Sequence, residues 1–376
     1  MAPRVGAPIA AVLLAWVSSG AGPAAGADLP GPIALPPGFS ISAFASGLGS
    51  PRFMAWSARG DLLVSIPRRG QVVGLRDTAR AGRADRTWMV AEGLDLPHGL
   101  AFRDPQTLYV AETGRVVRYR YDPGTGAASS PTAVVPDLPA RGVHFTRTIA
   151  FGPDGGLYVS IGSSCNVCIE RDPRRAAVVR YNADGSGEHL FGQGLRNAVG
   201  ITFDERGRLW GVVNGRDWLG DEFPPEILVQ IKDGKHYGWP HCNGRRIPDP
   251  DQPRPGFCET VELPDFEMQA HSAPLGLTFY TGHMFPAAYR GDLFIGFHGS
   301  WNRSTKTGYK VVRVRMRDGR PAAIEDFATG WLVGDRVWGR PVDVSVGPEG
   351  ALYVSDDYAG SIYRIAYSPR EAPGGR

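Results

Sequence analysis

The chain has 376 residues with 50 Gly and 32 Pro, and its 41 basic and 38 acidic residues leave a formal net charge of +3. Gly and Pro are poorly tolerated inside helices, so this composition argues against a helical bundle. Hydrophobic residues make up 42% of the chain, which excludes a mainly disordered state, and no basic run marks a nucleic-acid-binding face.

The N-terminal segment has the pattern of a secretory signal peptide. Arg4 precedes an apolar run from Ile9 to Val17, and small residues follow up to Ala27. This run is shorter than the roughly 20 apolar residues that span a bilayer, and a retained membrane anchor is the alternative. We expect residues 1–27 to be a signal peptide, cleaved after Ala27, and the product to be secreted or periplasmic without stable membrane insertion.

A repeat with six copies occupies the remaining residues, 28–376. In each copy, a turn rich in Gly, Asp or Pro leads into a strand anchored on Leu62, Leu108, Leu157, Leu209, Leu293 or Leu352. The intervals of 46, 49, 52, 84 and 59 residues match one four-stranded propeller blade each, whereas a solenoid usually shows a shorter, stricter period. The sequence therefore predicts an all-β fold. We expect one domain, a six-bladed β-propeller of four-stranded antiparallel blades, whose ring is closed by the segment FSISAFASGL.

Four cysteines in an exported chain favour disulfides. Cys242 and Cys258 bracket a Pro-, Asp- and Arg-rich loop insertion near residues 240–260 that has no core of its own, so we expect them to be linked. Cys165 and Cys168 form a C-x-x-C pair. A c-type haem site would need His in place of Ile169, and a structural zinc would need two more ligands. A local disulfide is the preferred interpretation of this pair.

Three polar, glycine-rich stretches are candidates for a functional site. They are the segment around His144, the dipeptide Arg196-Asn197, and the loop VNGRDWLGDE at residues 213–222. We interpret each as a loop that leads into the inner strand of a blade, so that all three face one mouth of the channel. The alternatives are a loop histidine bonded to a carbonyl, a turn cap and an ordinary acidic turn. The eight histidines show no zinc spacing, so a transition metal is not favoured.

The combination of these stretches resembles a known family. HFTRTIAFGPDGGLYVSIG, GLRNAVGITF and VNGRDWLGDE before GKHYGWP are similar to the soluble quinoprotein sugar dehydrogenases, six-bladed propellers that bind pyrroloquinoline quinone (PQQ). The resemblance extends from LPPGFSISAFASGL to GALYVSDDYAGSIYRI, and SSCNVC, YTGHMFP and GSWNR resemble the sorbosone dehydrogenase-like branch. It implies oxidation of a sugar or related polyol or aldehyde with PQQ and Ca²⁺, and a soluble electron acceptor such as a cytochrome.

The resemblance also implies roles for single residues. His144 matches the family's general base. The residues that match contacts to the quinone are Arg196, Asn197 and Arg340. Gly215 and Arg216 match a pair whose backbone carbonyls bind calcium.

Three positions depart from the family pattern. Val143 stands where the glucose-oxidising relatives have Asp, and Val342 where they have a second Arg. A quinone-binding lysine has no clean counterpart; Arg303 is the best substitute, with Lys306 and Lys310 behind it. These departures leave the expected fold intact and bear on cofactor affinity and substrate.

Two other classes of function fit a propeller of this kind. One is a scaffold that binds a glycan or protein partner without turnover, and the other is a calcium-dependent lactonase-like hydrolase in which the ion activates water. A binding module does not need His144, Arg196-Asn197 and the loop around Gly215 together, so their joint presence favours the dehydrogenase. We therefore expect a small-molecule sugar or polyol substrate and no nucleic-acid partner.

Overall fold

The computed structural model describes residues 29–369, and the segment predicted to be a signal peptide lies outside this range. Within it, helical structure is confined to three short 3-10 turns, at Pro67–Arg69, Cys258–Thr260 and Ala287–Tyr289. No helix in this part of the chain is both long and apolar enough to cross a membrane.

Six sheets, each with four antiparallel strands, form the blades of a propeller, numbered here in chain order. The first strand, β1 (Phe39–Ala45), is used only in the last blade. Blade 1 contains β2 (Met54–Trp56), β3 (Leu62–Ile66), β4 (Gln71–Arg76) and β5 (Arg86–Ala91). Blade 2 contains β6 (Leu100–Asp104), β7 (Thr107–Glu112), β8 (Arg115–Tyr121) and β9 (Ala128–Val135). Blade 3 contains β10 (Arg147–Phe151), β11 (Leu157–Ile161), β12 (Ala177–Tyr181) and β13 (His189–Gln193).

The second half of the chain continues the same plan with short additions. Blade 4 contains β14 (Ala198–Phe203), β15 (Leu209–Val213) and β16 (Glu226–Ile231). Next come β17 (Lys235–His236), which adds a fifth, parallel strand to the sheet of blade 3, and a separate ribbon of β18 (Cys242–Asn243) and β19 (Ile247–Pro248). Then β20 (Phe266–Met268) completes blade 4. Blade 5 contains β21 (Pro274–Phe279), β22 (Leu293–Phe297), β23 (Lys310–Arg317) and β24 (Arg320–Thr329). After a ribbon of β25 (Leu332–Val333) and β26 (Arg336–Val337), blade 6 adds β27 (Pro341–Val346), β28 (Leu352–Asp356) and β29 (Ser361–Tyr367).

The predicted all-β propeller with six four-stranded blades is therefore confirmed. Every repeat anchor lies at or next to the start of the second strand of its blade. In β3, β11, β15, β22 and β28 all five residues are buried. These strands are mostly apolar along their whole length because stacked blades cover both faces of the sheet.

The ring closes as the sequence predicted. The first strands β2, β6, β10, β14, β21 and β27 contact one another in order around the channel, and β27 contacts β2. The N-terminal strand β1 pairs antiparallel with β29, with Phe39 opposite Tyr367, and so completes blade 6. The Met54 N–H donates to Asp343 Oδ2 at 2.9 Å, which joins blade 1 to blade 6.

Both predicted disulfides are present. Cys242 and Cys258 are bonded with their Cα atoms 5.8 Å apart, and Cys165 and Cys168 with theirs 6.2 Å apart. The first pair is buried and packs with Val261 and Phe257 in a small cluster. The cross-link thus supports a segment that has little core of its own.

Candidate active site

A cavity of about 390 Å³ lies where several inner strands begin, a volume within the usual range of small-molecule sites. Blades 1, 3, 4, 5 and 6 all contribute to its wall. Its polar and charged lining residues include Arg52, His144, Arg196, Asn197, Asp217, Glu226, His298 and Arg340. The sequence predicted four basic side chains at the site, including Arg303. The other three, His144, Arg196 and Arg340, line this one cavity.

His144 lies just before β10 and is half-buried. Its Nδ1 is 2.9 Å from the carbonyl oxygen of Ser163 and 3.0 Å from Ser163 Oγ. A proton on Nδ1 donates to that carbonyl, which leaves Nε2 as the unprotonated nitrogen of a neutral imidazole. Burial, reinforced by the positive charge of Arg196, lowers the pKa of His144 to about 3. The residue is thus held in the form that a proton acceptor needs.

Gly162 allows His144 and Asn197 to pack side by side. A Cβ added at Gly162 would lie 2.5 Å from Asn197 Oδ1 and 2.7 Å from His144 Cβ. Both distances are far below van der Waals contact, so any larger residue at the end of β11 would displace one of the two side chains. Exposed Val143 lies on the rim of the cavity, where it offers no carboxylate to the imidazole.

Arg196 is buried immediately before β14 and is held by several acceptors. Its Nε donates to the Asn166 carbonyl at 3.0 Å, and its Nη1 to the Asn214 carbonyl at 3.2 Å. Its Nη2 donates to Asn166 Oδ1 at 2.8 Å and to Asp217 Oδ2 at 3.2 Å. Burial lowers the pKa of Arg196, and the charge of Asp217 opposes this effect. The guanidinium therefore enters the cavity wall in one fixed orientation.

The loop of residues 213–222 does not lead into an inner strand, which corrects the sequence-based interpretation. It follows β15 and connects it to β16, but it reaches the same mouth of the channel because second strands end where inner strands begin. Gly215 lines the cavity, whereas the Arg216 side chain points to the cysteine-closed loop and pairs with Asp249 at 2.8 Å. Of the predicted metal pair, Gly215 alone is at the cavity wall.

Glu226 holds the loop of residues 213–222 by a hydrogen bond to its backbone. Its Oε2 accepts from the Gly215 N–H at 2.6 Å and its Oε1 from the Ala273 N–H at 3.0 Å. Burial raises the pKa of Glu226 to about 7 against these hydrogen bonds and the charge of Arg196. The carboxyl group thereby ties the Gly215 loop of blade 4 to the segment that enters blade 5.

Arg303 is not among the residues that line the cavity, contrary to the sequence-based expectation. Its Nη1 donates to the Asp221 carbonyl at 2.6 Å, and its Nη2 pairs with Glu222 at 2.5 Å. Lys306 and Lys310 are likewise engaged elsewhere, with the Asp335 carbonyl and with Asp326. Arg303 therefore binds the loop at residues 221–222 rather than the cavity, and neither lysine replaces it there.

Arg340, in contrast, lies at the cavity just before β27. Its Nε donates to the His298 carbonyl at 3.0 Å and its Nη2 to the Gly299 carbonyl at 2.7 Å. Two residues further on, Val342 is fully buried and packs with Phe53, Val199 and Leu275. The position that carries a second Arg in glucose-oxidising relatives is here part of an apolar cluster.

A buried network that the sequence analysis missed completes the wall. Arg52 Nη1 pairs with Asp357 Oδ2 at 2.6 Å, and His298 Nε2 lies 2.8 Å from Asp357 Oδ1. Burial lowers the pKa of His298 to about 4, although Asp357 opposes the shift. The hydrogen bond from His298 and the nearby arginines hold the pKa of Asp357 well below its usual range despite burial.

A simple signal would have found Arg52. Arg52, Arg196 and Arg340 each stand one or two residues before an inner strand, at β2, β14 and β27. Alignment of the repeats on their inner strands, rather than on their second strands, places the three arginines within one residue of the same position. The network partner His298 follows β22 directly and has no equivalent in the other blades at that point of the sequence.

The cavity wall carries three arginine and two acidic side chains. Arg52, Arg196 and Arg340 all line the cavity, and the buried Nε of Arg52 has no hydrogen-bond partner among the described residues. Such a wall suits a polyanionic ligand such as PQQ, which carries three carboxylates. For calcium, the only cluster of three potential ligands within residues 29–369 is Cys165, Cys168 and Glu170, where both thiols are oxidised. A hard cation at the cavity would therefore depend on carbonyl, amide and single carboxylate oxygens, which Gly215 and Asp217 offer.

The fold and the cavity define a six-bladed propeller with a basic, imidazole-bearing site at one mouth of its channel. The chain belongs to the TrAA12-like family, whose profile matches residues 33–368. An uncharacterised protein of Borreliella burgdorferi is 36% identical over 224 residues, 56% of this chain and 57% of the relative. A pyrroloquinoline quinone-dependent pyranose dehydrogenase of Coprinopsis cinerea is 25% identical over 398 residues, 87% of this chain and 54% of the relative. The chain thus spans about half the length of these relatives.

Solved structures share the fold. The holo PQQ domain of the C. cinerea pyranose dehydrogenase has a TM-score of 0.77 at 23% identity, over 90% of this chain and 98% of that domain. The calcium structure of a Trichoderma reesei family AA12 enzyme has a TM-score of 0.78 at 24% identity, over 89% and 97% of the two chains. The PQQ-bound aldose sugar dehydrogenase of Streptomyces coelicolor has a TM-score of 0.66 at 22% identity, over 89% and 100%.

Proposed function

We propose that this protein is an exported quinoprotein oxidoreductase that oxidises a sugar or a related polyol or aldehyde with PQQ, assisted by Ca²⁺. The observation that carries the proposal is the meeting of neutral His144 with Arg196, Asn197 and Arg340 around one cavity. The names of the C. cinerea and S. coelicolor relatives support the same assignment.

The cavity wall would hold the cofactor through its cations. Arg52, Arg196 and Arg340 come from three different blades. Of their atoms, Arg52 Nε has no protein acceptor among the described residues. Asn197 adds an amide whose Nδ2 is only 3.4 Å from Asn214 Oδ1, a weak contact that a better acceptor would replace. When bound, PQQ supplies an ortho-quinone that takes up two electrons from an alcohol or aldehyde hydrate carbon.

His144 is the proposed general base. Its unprotonated Nε2 would accept the substrate hydroxyl proton, while the Nδ1 hydrogen bond to Ser163 stabilises the imidazolium that results. Arg196 lies close enough to lower the pKa of His144, so its charge makes this imidazolium short-lived and favours release of the proton to solvent. Arg196 also places a positive charge where negative charge develops during such an oxidation.

Calcium would bind beside the same wall. Its proposed ligands are the backbone carbonyl of Gly215 and, on the sequence resemblance, that of Arg216, with the carboxylate of Asp217 on the same cavity wall as Gly215. Glu226 accepts the Gly215 N–H and so holds this part of the loop in place. Hard cations prefer several oxygen ligands of this kind, and a bound ion would polarise an adjacent carbonyl group.

The proposal also covers export of the protein, its electron acceptor and the class of its substrate. The signal peptide predicted for residues 1–27 and the two disulfides agree with a secreted or periplasmic enzyme. A soluble acceptor such as a cytochrome would then reoxidise the enzyme. Sorbosone-like aldehydes and aldoses are the first substrates to test, because SSCNVC, YTGHMFP and GSWNR resemble the sorbosone dehydrogenase-like branch.

Reconstitution tests the proposal. Purified apo-protein mixed with PQQ and Ca²⁺ is expected to develop quinone absorbance and to reduce a redox dye when an aldose, polyol or aldehyde is added. Absence of PQQ binding at micromolar cofactor would refute the dehydrogenase and favour a propeller that binds a glycan or protein partner without turnover. Hydrolysis of lactones by the calcium form without PQQ would favour the hydrolase instead.

A matched pair of arginine variants locates the cofactor within the protein. Arg340→Ala removes a cation from the cavity wall and is expected to raise the Kd for PQQ at least about tenfold, as loss of a charged hydrogen bond does. Arg303→Ala changes the same residue type outside the cavity and should alter the Kd less than about twofold. An equal rise in the Kd for PQQ in both variants would show that Arg303 also contributes to cofactor binding.

A further inference from the structure

The turn closed by Cys165 and Cys168 lies against the candidate active site, and the proposed reaction has no direct use for it. It follows β11, and the disulfide joins residues only three positions apart. We call residues 165–168 the CNVC turn. Its second residue, Asn166, is half-buried and faces blade 4 through hydrogen bonds rather than apolar packing.

Asn166 binds two residues of the cavity wall at once. Its side-chain Oδ1 accepts from Arg196 Nη2 at 2.8 Å and from the Asp217 N–H at 2.8 Å. Its Nδ2 donates to the Asp217 carbonyl at 3.2 Å. Its backbone carbonyl accepts from Arg196 Nε at 3.0 Å and from Trp239 Nε1 at 3.2 Å.

These contacts decide how the guanidinium lies. Asn166 accepts two of the four hydrogen bonds that Arg196 donates, and Asp217, which accepts another, is itself held by Asn166. A buried guanidinium keeps one orientation only while its acceptors stay in place, because each unmet donor in the interior is costly. Asn166 is therefore the common partner of the arginine and of the loop that carries Asp217.

The same turn also touches the hydrogen-bonding partner of the base. Ser163, whose carbonyl accepts the Nδ1 proton of His144, donates from its own Oγ to the Cys165 carbonyl at 2.7 Å. Ser164 is bound to Glu170, with its N–H 2.5 Å from Oε1 and its hydroxyl 2.8 Å from Oε2. The disulfide and Glu170 thus hold the turn in a stretch that has no strand of its own between β11 and β12.

We infer that Asn166 is a positioning residue for the active site and that the Cys165–Cys168 disulfide serves to hold it against Arg196 and Asp217. The inference rests on the proposed function, since it is cofactor binding that the oriented Arg196 would support. It also makes a claim about the protein without any ligand, namely that Asn166 keeps the loop around Asp217 in place.

Two substitutions of Asn166 test the positioning role. Asn166→Ala removes the side-chain acceptor of Arg196 and Asp217 and is expected to raise the Kd for PQQ on the order of 10- to 100-fold. Asn166→Asp keeps an acceptor at Oδ1 beside the guanidinium and is expected to retain affinity closer to that of the wild type. A purely structural role predicts no such rank order, so equal losses in the two variants would overturn the inference.

The disulfide has a matched control in the same chain. Cys165→Ser with Cys168→Ser keeps Asn166 but opens the turn, and it should weaken PQQ binding in the same direction as Asn166→Ala. Cys242→Ser with Cys258→Ser removes the other disulfide and should lower Tm while changing the Kd less than about twofold. If both double variants bind PQQ like the wild type, the disulfide has no positioning role.

Hydrogen–deuterium exchange of the apo-protein separates this inference from the proposed function. The Asp217 amide donates to Asn166 Oδ1, so a peptide that covers residues 214–218 should exchange faster in Asn166→Ala and in the Cys165/Cys168 double variant. Unchanged exchange would overturn the inference even if PQQ binds. Faster exchange in a protein that binds no PQQ would leave Asn166 as the holder of the loop and refute the proposed function alone.

Discussion

The protonation of His144 is set by its surroundings rather than by a partner carboxylate. Val143 brings no acid to the ring, and the Nδ1 proton goes instead to the Ser163 carbonyl. Burial and the charges of Arg196, Arg175 and Arg147 all disfavour the imidazolium, whereas the Ser163 hydrogen bond favours it only in part. A base of this kind is unprotonated over a wide pH range but is intrinsically weak, so catalysis would depend on correct placement of the substrate hydroxyl.

His144→Ala is expected to lower kcat by roughly 10²- to 10⁴-fold with little change in the Kd for PQQ, because a general base acts on the proton and not on cofactor binding. His189→Ala is the control, since His189 is exposed on β13 and pairs with Asp233 away from the cavity. Stopped-flow reduction and PQQ titration measure the two quantities. Wild-type turnover in His144→Ala at saturating PQQ would refute the role of this residue.

The pH profile tests the same environment. With a pKa of about 3, His144 stays unprotonated well below the ordinary value near 6.5, so turnover that it limits should persist into acid. A lowered pKa in the folded state also has a defined sign for stability. The contribution of neutral His144 to the free energy of unfolding is complete above about pH 6.5. It is lost as the pH falls from there toward about 3, because the unfolded chain binds the proton first. An acid limb of kcat with an apparent pKa near 6.5 would contradict this description.

Side-chain direction explains which residues the sequence could identify. Arg196, Asn197 and Arg340 precede inner strands, and the strand that follows each of them fixes the end of the channel at which they lie. Arg303 lies in a long loop, where no periodicity relates position to direction, and its guanidinium turns to Glu222. The Arg52–Asp357–His298 network was missed because its members are far apart in the sequence and meet only when the ring closes.

At the scale of elements, the strand that closes the ring was predictable and one loop was not. The FSISAFASGL segment shows strand-like alternation outside all six repeats, and a propeller needs one such strand for its last blade. The loop of residues 213–222 was assigned to the wrong connection because EILVQI, which follows it, has the apolar pattern of any blade strand. The pattern shows where a loop lies, whereas the order of strands within a blade follows from pairing.

The closing strand is anchored by one aromatic side chain. The Phe39 ring lies 4.7 Å from that of Phe285 and 5.1 Å from that of Phe327, both in blade 5, and 4.9 Å from that of Tyr367 in blade 6. Aromatic pairs in such edge-on arrangements contribute beyond their buried area. Phe39 thus ties the start of the described chain to two blades that come last in the sequence.

Phe39→Ala is therefore expected to lower the free energy of unfolding by about 3 kcal/mol, the lower end for a buried Phe because the ring is only partly covered. Ser40→Ala, on the exposed face of the same strand, should change it by less than about 0.5 kcal/mol. Denaturant unfolding followed by tryptophan fluorescence measures both. A loss below about 1 kcal/mol in Phe39→Ala would show that backbone pairing with β29 closes the ring without this side chain.

At the scale of the whole molecule, the cavity lies where loops from most of the blades meet. Its lining residues come from five of the six blades, and most stand in the connections between strands rather than in the strands themselves. Blades pack mainly on their two neighbours, so a ligand at the channel mouth can bridge blades that do not otherwise touch. Binding there should stabilise the ring as a unit.

PQQ with Ca²⁺ is accordingly expected to raise the Tm of the apo-protein by a few degrees. A ligand that binds only the folded state at about a hundredfold excess over its Kd adds roughly 2.7 kcal/mol to the free energy of unfolding. At the same ligand concentrations His144→Ala should keep the full shift in Tm, whereas Arg340→Ala should lose about half of it or more, because only the second residue belongs to the cationic wall and a tenfold higher Kd roughly halves the added free energy. Calorimetry with and without a calcium chelator separates the contributions of the two ligands. A shift in Tm that the chelator leaves unchanged would remove Ca²⁺ from the proposed active site.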